Sequence, residues 1–195
     1  MVPIGITGAM GAGKDTFAAV LARHGGIFEV MAIADPIRQI ATDIFGFTRD
    51  QLTDRALKEA QDPRWGITPR RFLQLVGCEM FRDQFRDDVW VRLLERRMLA
   101  AMAAGRAPVV PDIRFPGEIK LIRDMGGCLV HVERPGGQGP AESMAHRSEH
   151  SLGPGVEDIK ITNDGSLEEY EARVLVDYMP VIITCCQQPG PEVRT

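Results

Sequence analysis

The sequence predicts a three-layer α/β fold, a parallel sheet with helices on both faces. Three observations predict it. Short apolar runs alternate with amphipathic helical segments through most of the 195 residues. A glycine-rich turn, Gly8 to Gly13, joins the first apolar run to the first helix. No apolar run approaches the roughly 20 residues that a membrane-spanning helix needs. The length suits one domain with room for a core.

The elements follow in order. Val2 to Thr7 reads as a buried strand, and a helix runs from about Lys14 to His24, stopped by Gly25-Gly26. Ile27 to Ala32 is a second strand. Asp35-Pro36 reads as an N-cap followed by proline at the first helical position, and Ile37, Ile40, Ala41, Ile44 and Phe45 form one apolar stripe. Thr48 to Ile67 is weakly patterned and reads as helix fragments and loops. Thr68-Pro69 starts a helix expected to stop near Gly77. Asp87 to Ala104 is amphipathic, with Trp90, Leu93, Leu94, Met98 and Met102 inward. Ala107 to Pro111 is a strand ending at Asp112. A helix from about Pro116 to Met125 and a strand from Cys128 to Val132 come next. Arg134 to Gly155, rich in Gly, Pro, Ser and His, reads as a loop. Asp158 to Thr162 is the last strand, and Ser166-x-x-Glu169 is a capping box opening the final helix. After Tyr178 the tail is expected to fray. The resulting division is a core of about 1–47 and 105–180, a helical insertion of about 48–104, a loop or lid of about 134–155, and a tail of 179–195.

Hydrophobic residues are 44% and charged residues 26%, the balance of a soluble globular protein. The net charge of −4 argues against a general nucleic-acid surface, so any polyanion site must be local. The segment before the glycine turn has no basic region typical of a signal peptide, and a cytoplasmic location is expected. Cys78, Cys128, Cys185 and Cys186 form neither a CxxC pair nor a disulfide framework, so reduced thiols are expected.

The sharpest signal is Gly8-Ala9-Met10-Gly11-Ala12-Gly13-Lys14-Asp15-Thr16, which fits GxxxxGK between a strand and a helix. Such a P-loop wraps its backbone N–H groups around phosphate oxygens, and the helix adds its positive N-terminal end. Lys14 would reach the β- and γ-phosphates of ATP. The Ser or Thr that usually follows the lysine is Asp15, so Thr16 is the first candidate for Mg²⁺, with Asp15 holding a metal-bound water or the acceptor. A dinucleotide-binding turn would leave Lys14 without a role. Asp112 stands where a second carboxylate would meet the metal or its waters, though a turn aspartate explains it equally well.

Arg70 and Arg71 lie in the first turn of a helix, where the macrodipole disfavours cations and a bound anion would reverse that cost. They read as phosphate-binding, with two solvated arginines as the plain alternative. Arg38 invites the same argument more weakly, and Arg114 follows the presumed metal position. Arg134 and Arg147 bracket the loop that would act as a lid over phosphates, or are ordinary surface charges. Asn163-Asp164-Gly165 would flank the adenine, or is a plain turn. A phosphate acceptor is already ionised, so transfer to it requires no general base. Lys, Arg and a metal suffice.

Further pieces are Leu52-Thr53-Asp54-Arg55 with Lys58-Glu59, Thr68-Pro69-Arg70-Arg71-Phe72-Leu73-Gln74 with Gly77 and Glu79, Asp112-Ile113-Arg114-Phe115-Pro116 with Glu118, and His146-Arg147-Ser148-Glu149. With Gly13-Lys14-Asp15-Thr16, these make the chain, from Ile4 to about Tyr170, resemble the bacteriophage deoxynucleoside monophosphate kinase family. The resemblance implies a P-loop kinase fold, ATP-dependent conversion of a dNMP to its diphosphate, and often a homodimer. It assigns Lys14, Asp15 and Thr16, directly after Gly11-Ala12-Gly13 of the same loop, to ATP and Mg²⁺. It sets Arg70, Gln74, Glu79, Trp90 and Arg114 toward the acceptor.

Rival readings remain. His146 to His150 matches HxxEH, an inverted zinc-peptidase signature. The same fold serves dephospho-coenzyme A and phosphomevalonate kinases, and a non-catalytic nucleotide switch would carry the same loop. Trp90 and Phe72 read first as core residues, with packing against the sugar of the acceptor as the alternative.

Overall fold

The computed structural model describes residues 1–24, 26–135 and 158–187. Five strands form one parallel sheet: β1 (Ile4–Thr7), β2 (Phe28–Val30), β3 (Ala107–Val110), β4 (Cys128–Glu133) and β5 (Ile159–Thr162), in the order β2-β3-β1-β4-β5. All-parallel pairing needs a crossover between successive strands, and among the described residues helices supply those from β1 to β2 and from β3 to β4. α1 (Lys14–His24) follows β1, and α7 (Pro116–Asp124) joins β3 to β4.

The chain divides into two compact units. The larger comprises residues 1–32 and the described residues from Leu94 on. Side-chain alternation in its sheet separates two packed faces. Ile4 and Ile6, with Val109, Val130, Val132 and Ile161, cluster with Phe17 and Leu21 of α1 and with Tyr170, Val174 and Ile182. Between them Gly5 points the other way, and a Cβ there would meet Leu129 at 2.8 Å and Ile122 of α7 at 3.1 Å. The predicted three layers are therefore present.

The final helix runs past its expected end. α8 (Leu167–Arg173) opens on the predicted Ser166/Glu169 capping box, continues as a π-helical stretch (Val174–Tyr178), and passes into α9 (Met179–Cys186). The expectation of fraying after Tyr178 is thus corrected over these residues. Ile182 and Cys186 are fully buried, and the Val2 N–H donates to the Cys186 carbonyl at 3.0 Å. The expectation of reduced thiols is corrected for one pair: Cys128 at the start of β4 is disulfide-bonded to Cys185. A 57-residue separation gave no sequence signal for that pairing.

The smaller unit is Ile33–Leu93. It holds α2 (Asp35–Asp43), the short helices α3 (Arg49–Thr53) and α4 (Arg55–Glu59), and α5 (Pro69–Gln74). α2 belongs to it. Asp35 is the first residue of α2 rather than its cap, and its carboxylate accepts from Arg38 Nη1 at 3.0 Å. Gly77 does not stop α5, which continues as a π-helical stretch (Leu75–Asp83). Gly77 is instead a packing site, since a Cβ there would lie 2.9 Å from Ile37 Cδ1. α6 (Val89–Ala103) begins in this unit and continues into the larger one.

The unit's core is aromatic. Phe72 packs against Phe45 at 4.6 Å and Phe47 at 5.0 Å between ring centroids, and Phe81 packs against Trp90. Asp62 is the buried acid that orders its long loop. It accepts from Arg64 Nε at 2.9 Å, Arg64 Nη2 at 2.7 Å and Gln51 Nε2 at 3.0 Å. The Arg64 hydrogen bonds hold its carboxyl well below the ordinary value of 3.8, against the opposing effect of burial. A depressed folded pKa stabilises the native state above the unfolded value and loses that contribution as pH falls. Asp62→Asn is therefore expected to lower the thermal midpoint at pH 7, with the gap to wild type narrowing below about pH 4. Thermal denaturation at both pH values checks this, and an equal gap at each would refute it.

Candidate active site

The site of the larger unit forms at the carboxyl end of β1. Parallel strands bring all their carboxyl ends to one edge, and the chain leaves β1 there through the glycine-rich loop. Gly8, Gly11 and Gly13 have φ of 135°, 79° and 106°, so the loop uses backbone conformations that favour glycine. Gly8 also passes close to β4, since a Cβ there would lie 2.1 Å from the Val132 carbonyl oxygen. Thr7 anchors the entry, with its hydroxyl 3.0 Å from His131 Nδ1. The loop runs into the 11-residue helix α1, whose first turn carries Asp15.

Lys14 folds back over this loop. Its Nζ donates to the Gly8 and Ala9 carbonyls, both at 2.7 Å. Behind the loop stand residues from the β5–α8 connection. Asn163 Nδ2 donates to the Ala12 carbonyl at 2.9 Å, and the Tyr170 hydroxyl donates to the Gly13 carbonyl at 3.4 Å. Burial drives the Tyr170 phenol far above its ordinary pKa, so it stays neutral and can donate.

A cavity of about 310 Å³ lies over the loop, lined by Gly11, Gly13, Lys14, Asp15, Thr16, Arg134, Asn163, Gly165, Leu167 and Tyr170. Every predicted nucleotide contact except buried Ala12 lines it. Tyr170 and Leu167 were not anticipated from the sequence. The available signal was the Ser166 capping box, which places an apolar helix start directly after the Asn163 turn.

Asp112 follows β3, the strand beside β1, and the next residue, Ile113, donates its N–H to the Ile6 carbonyl at 3.3 Å. This sets the carboxylate at the loop's edge of the sheet, half-buried. Arg114 is exposed. The Arg114 and Phe115 N–H groups donate to Glu118 Oε2 at 2.7 and 3.0 Å, so buried Glu118 caps α7. Among the described residues no cluster of three or more His, Cys, Asp or Glu is arranged to hold a metal. Arg147, the HxxEH segment and the lid beyond residue 135 lie outside the described residues.

The acceptor candidates of the smaller unit divide. Arg70 pairs with Glu59, and Arg71 pairs bidentately with Glu79, in solvent-exposed ion pairs. Gln74 is half-buried. Trp90 is set inward by the helix periodicity and toward the acceptor by the resemblance, and the structure places it inward. It is 3% exposed, and its indole N–H donates to the Gly77 carbonyl at 2.6 Å, so it is a core residue. Arg38 lines a second cavity of about 350 Å³ with Asp35, Gln39, Thr42, Arg49, Leu52 and Thr53. Its Nε is buried and has no hydrogen-bond partner. Arg49 and Thr53 were not anticipated, since nothing in a weakly patterned stretch marks which side chains will face α2.

Comparison with known proteins fixes the family. The family model for deoxynucleotide monophosphate kinase matches residues 39–174. The chain belongs to this family. A protein of Acanthamoeba polyphaga mimivirus assigned as a deoxynucleotide monophosphate kinase is 32% identical over 188 residues, which cover 90% of this chain and 95% of that one. The deoxynucleotide monophosphate kinase of Enterobacteria phage T4 is 32% identical over 114 residues, covering 58% of this chain and 45% of the phage protein. The chain therefore spans nearly all of the mimivirus relative and under half of the phage one. Among solved structures, the dephospho-CoA kinase of Campylobacter jejuni superposes with a TM-score of 0.52 at 13% identity, covering 94% and 96% of the two chains, a likeness of fold alone. As a member of this family the chain is a phosphotransferase with a P-loop kinase fold. Among the described residues no helix is long and apolar enough to cross a membrane.

Proposed function

We propose that this deoxynucleotide monophosphate kinase family member transfers the γ-phosphoryl group of MgATP to a deoxynucleoside monophosphate, releasing ADP and the diphosphate. The observation that carries the reading is the glycine loop with Lys14 held at its mouth, facing a cavity at the N-terminal end of α1. The loop and helix end suit a triphosphate because the glycine-rich backbone leads into the positive dipole end of α1 there.

Lys14 exchanges two neutral carbonyls for phosphate oxygens when nucleotide binds. The incoming anion attracts the ammonium more strongly than the carbonyls do. Thr16 and Asp15, with Asp112, are the residues that would hold Mg²⁺ or its waters. Bound Mg²⁺ supplies neutralisation of phosphate charge. Arg134, on the cavity wall, adds a cation beside the phosphates or base.

The acceptor reading rests on the smaller unit. Arg38 and Arg49 line one cavity of the smaller unit beside Asp35, and two guanidinium groups there are suited to a phosphate dianion. Arg70, Arg71, Gln74 and Glu79 remain candidates. Exposed ion pairs such as Arg70–Glu59 are worth only about 0–1 kcal/mol, so a phosphate can displace the carboxylate. No side chain needs to remove a proton, because the acceptor phosphate is already ionised.

The test is a coupled ADP-release assay with MgATP against dAMP, dGMP, dCMP, dTMP and their ribose counterparts. Fast release with at least one deoxynucleotide, and little without acceptor, is expected. Silence across the panel would refute the nucleotide acceptor. Activity with dephospho-coenzyme A or phosphomevalonate would then identify a different acceptor on the same fold.

A further inference from the structure

Asn163 reads from the sequence as a contact to the nucleotide, yet its geometry directs it to the protein. The residue is 4% exposed at the end of β5. Its backbone N–H donates to the Glu133 carbonyl at 2.8 Å, which locks it to the neighbouring strand. Its side-chain amide nitrogen donates to the Ala12 carbonyl at 2.9 Å.

That bond has a consequence for the phosphate loop. A trans peptide is planar, with its C=O and N–H pointing in opposite directions. The Ala12 carbonyl shares a plane with the Gly13 N–H. Drawing the carbonyl toward Asn163 turns the Gly13 N–H away from Asn163. The contact is tight, since a Cβ on Gly13 would lie 2.6 Å from Asn163 Nδ2 and 3.1 Å from Tyr170 Cε1. The next carbonyl, that of Gly13, is held by the Phe17 N–H at 2.9 Å and by the Tyr170 hydroxyl. Two successive peptide planes are therefore held, the first by Asn163 directly after β5 and the second by Tyr170 of α8 together with the Phe17 N–H of α1.

We infer that Asn163 is a positioning residue of the phosphate loop, which pre-aims backbone N–H groups at the triphosphate and does not read the base. The inference rests on the nucleotide reading proposed above. It assigns the preorganisation of the phosphate site, a prerequisite for electrostatic stabilisation, to an amide two strands away from the loop.

The test compares wild type with Asn163→Ala and Asn163→Asp in calorimetric titrations with MgATP and with inorganic tripolyphosphate, well below the melting temperature. Both variants are expected to bind both ligands more weakly by a common factor of about tenfold or more. Asn163→Asp keeps the size of the side chain and sets a carboxylate against the Ala12 carbonyl, so it tests the donor even where the alanine variant folds poorly. Weakened MgATP binding with unchanged tripolyphosphate binding would make Asn163 a base contact and overturn the inference. A lowered melting temperature with unchanged affinities would reduce it to a structural residue and overturn the inference as well. Wild type that binds MgATP but not tripolyphosphate would also overturn it, because the loop would then carry little of the binding. Wild type that binds neither would instead overturn the nucleotide reading itself.

Discussion

Lys14→Ala is expected to lower turnover by about 10²–10³-fold or more while the fold survives. On the proposed reading the lysine neutralises charge on the transferring phosphoryl group, and phosphoryl transfer to an ionised acceptor gives no general base a share in that work. Its contribution is electrostatic and specific to the transition state, so the loss should appear chiefly in kcat. The Nζ bonds the Gly8 and Ala9 carbonyls at the edge of the cavity. Water replaces those bonds in the variant, so the thermal midpoint should shift little. Steady-state kinetics and thermal denaturation on the same preparation read both effects. Near-normal turnover would show that the phosphate site lies elsewhere. A collapse in stability would show that the lysine holds the loop together and does not act on phosphate.

The second large effect is expected at Gly8. Gly8→Ala places a Cβ 2.1 Å from the Val132 carbonyl oxygen, a backbone atom of a central strand, at a φ of 135°. Neither neighbour yields cheaply. β4 is paired on both sides, by β1 and β5, and β1 is paired to β3 and β4. The backbone conformation alone costs about 1–3 kcal/mol for a residue with a Cβ, and the collision adds to it. A total of roughly 3 kcal/mol or more lowers the thermal midpoint of a chain of this size by about 6–12 °C. Nucleotide affinity should fall as well, because the loop must move off β4. Gly11→Ala provides the comparison. Gly11 also has a positive φ, 79°, but a Cβ there meets nothing within 4 Å. It should cost about 1 kcal/mol. Equal losses at the two positions would remove close packing against β4 from the explanation.

Much of this protein was legible in its residues because the signals are local. An apolar strand followed by GxxxxGK and a helix specifies a phosphate loop through backbone conformation and helix polarity, both properties of adjacent residues. The order of strands and helices, and hence the parallel sheet, follows from short-range periodicity. The capping box at Ser166 and Glu169 formed where the spacing placed it. The family motifs at Thr68 to Gln74 and at Asp112 to Pro116 were equally readable.

What only the tertiary structure decided depends on residues far apart in the chain. The sequence offered Asn163 as a nucleotide contact, and 151 positions separate it from the Ala12 carbonyl that its amide holds. Trp90 had an inward reading from periodicity and an acceptor reading from the resemblance, and the structure buries it with its indole N–H on the Gly77 carbonyl thirteen positions away. Arg70 and Arg71 read as phosphate-binding cations at a helix start, and the sequence did not show that Glu59 and Glu79 lie beside them. The polar composition of the final residues suggested fraying, but packing of Ile182 and Cys186 against the sheet keeps α9 helical. In each case local chemistry defines what a side chain can do. Burial and distant partners, which depend on the whole chain's folding, define what it does.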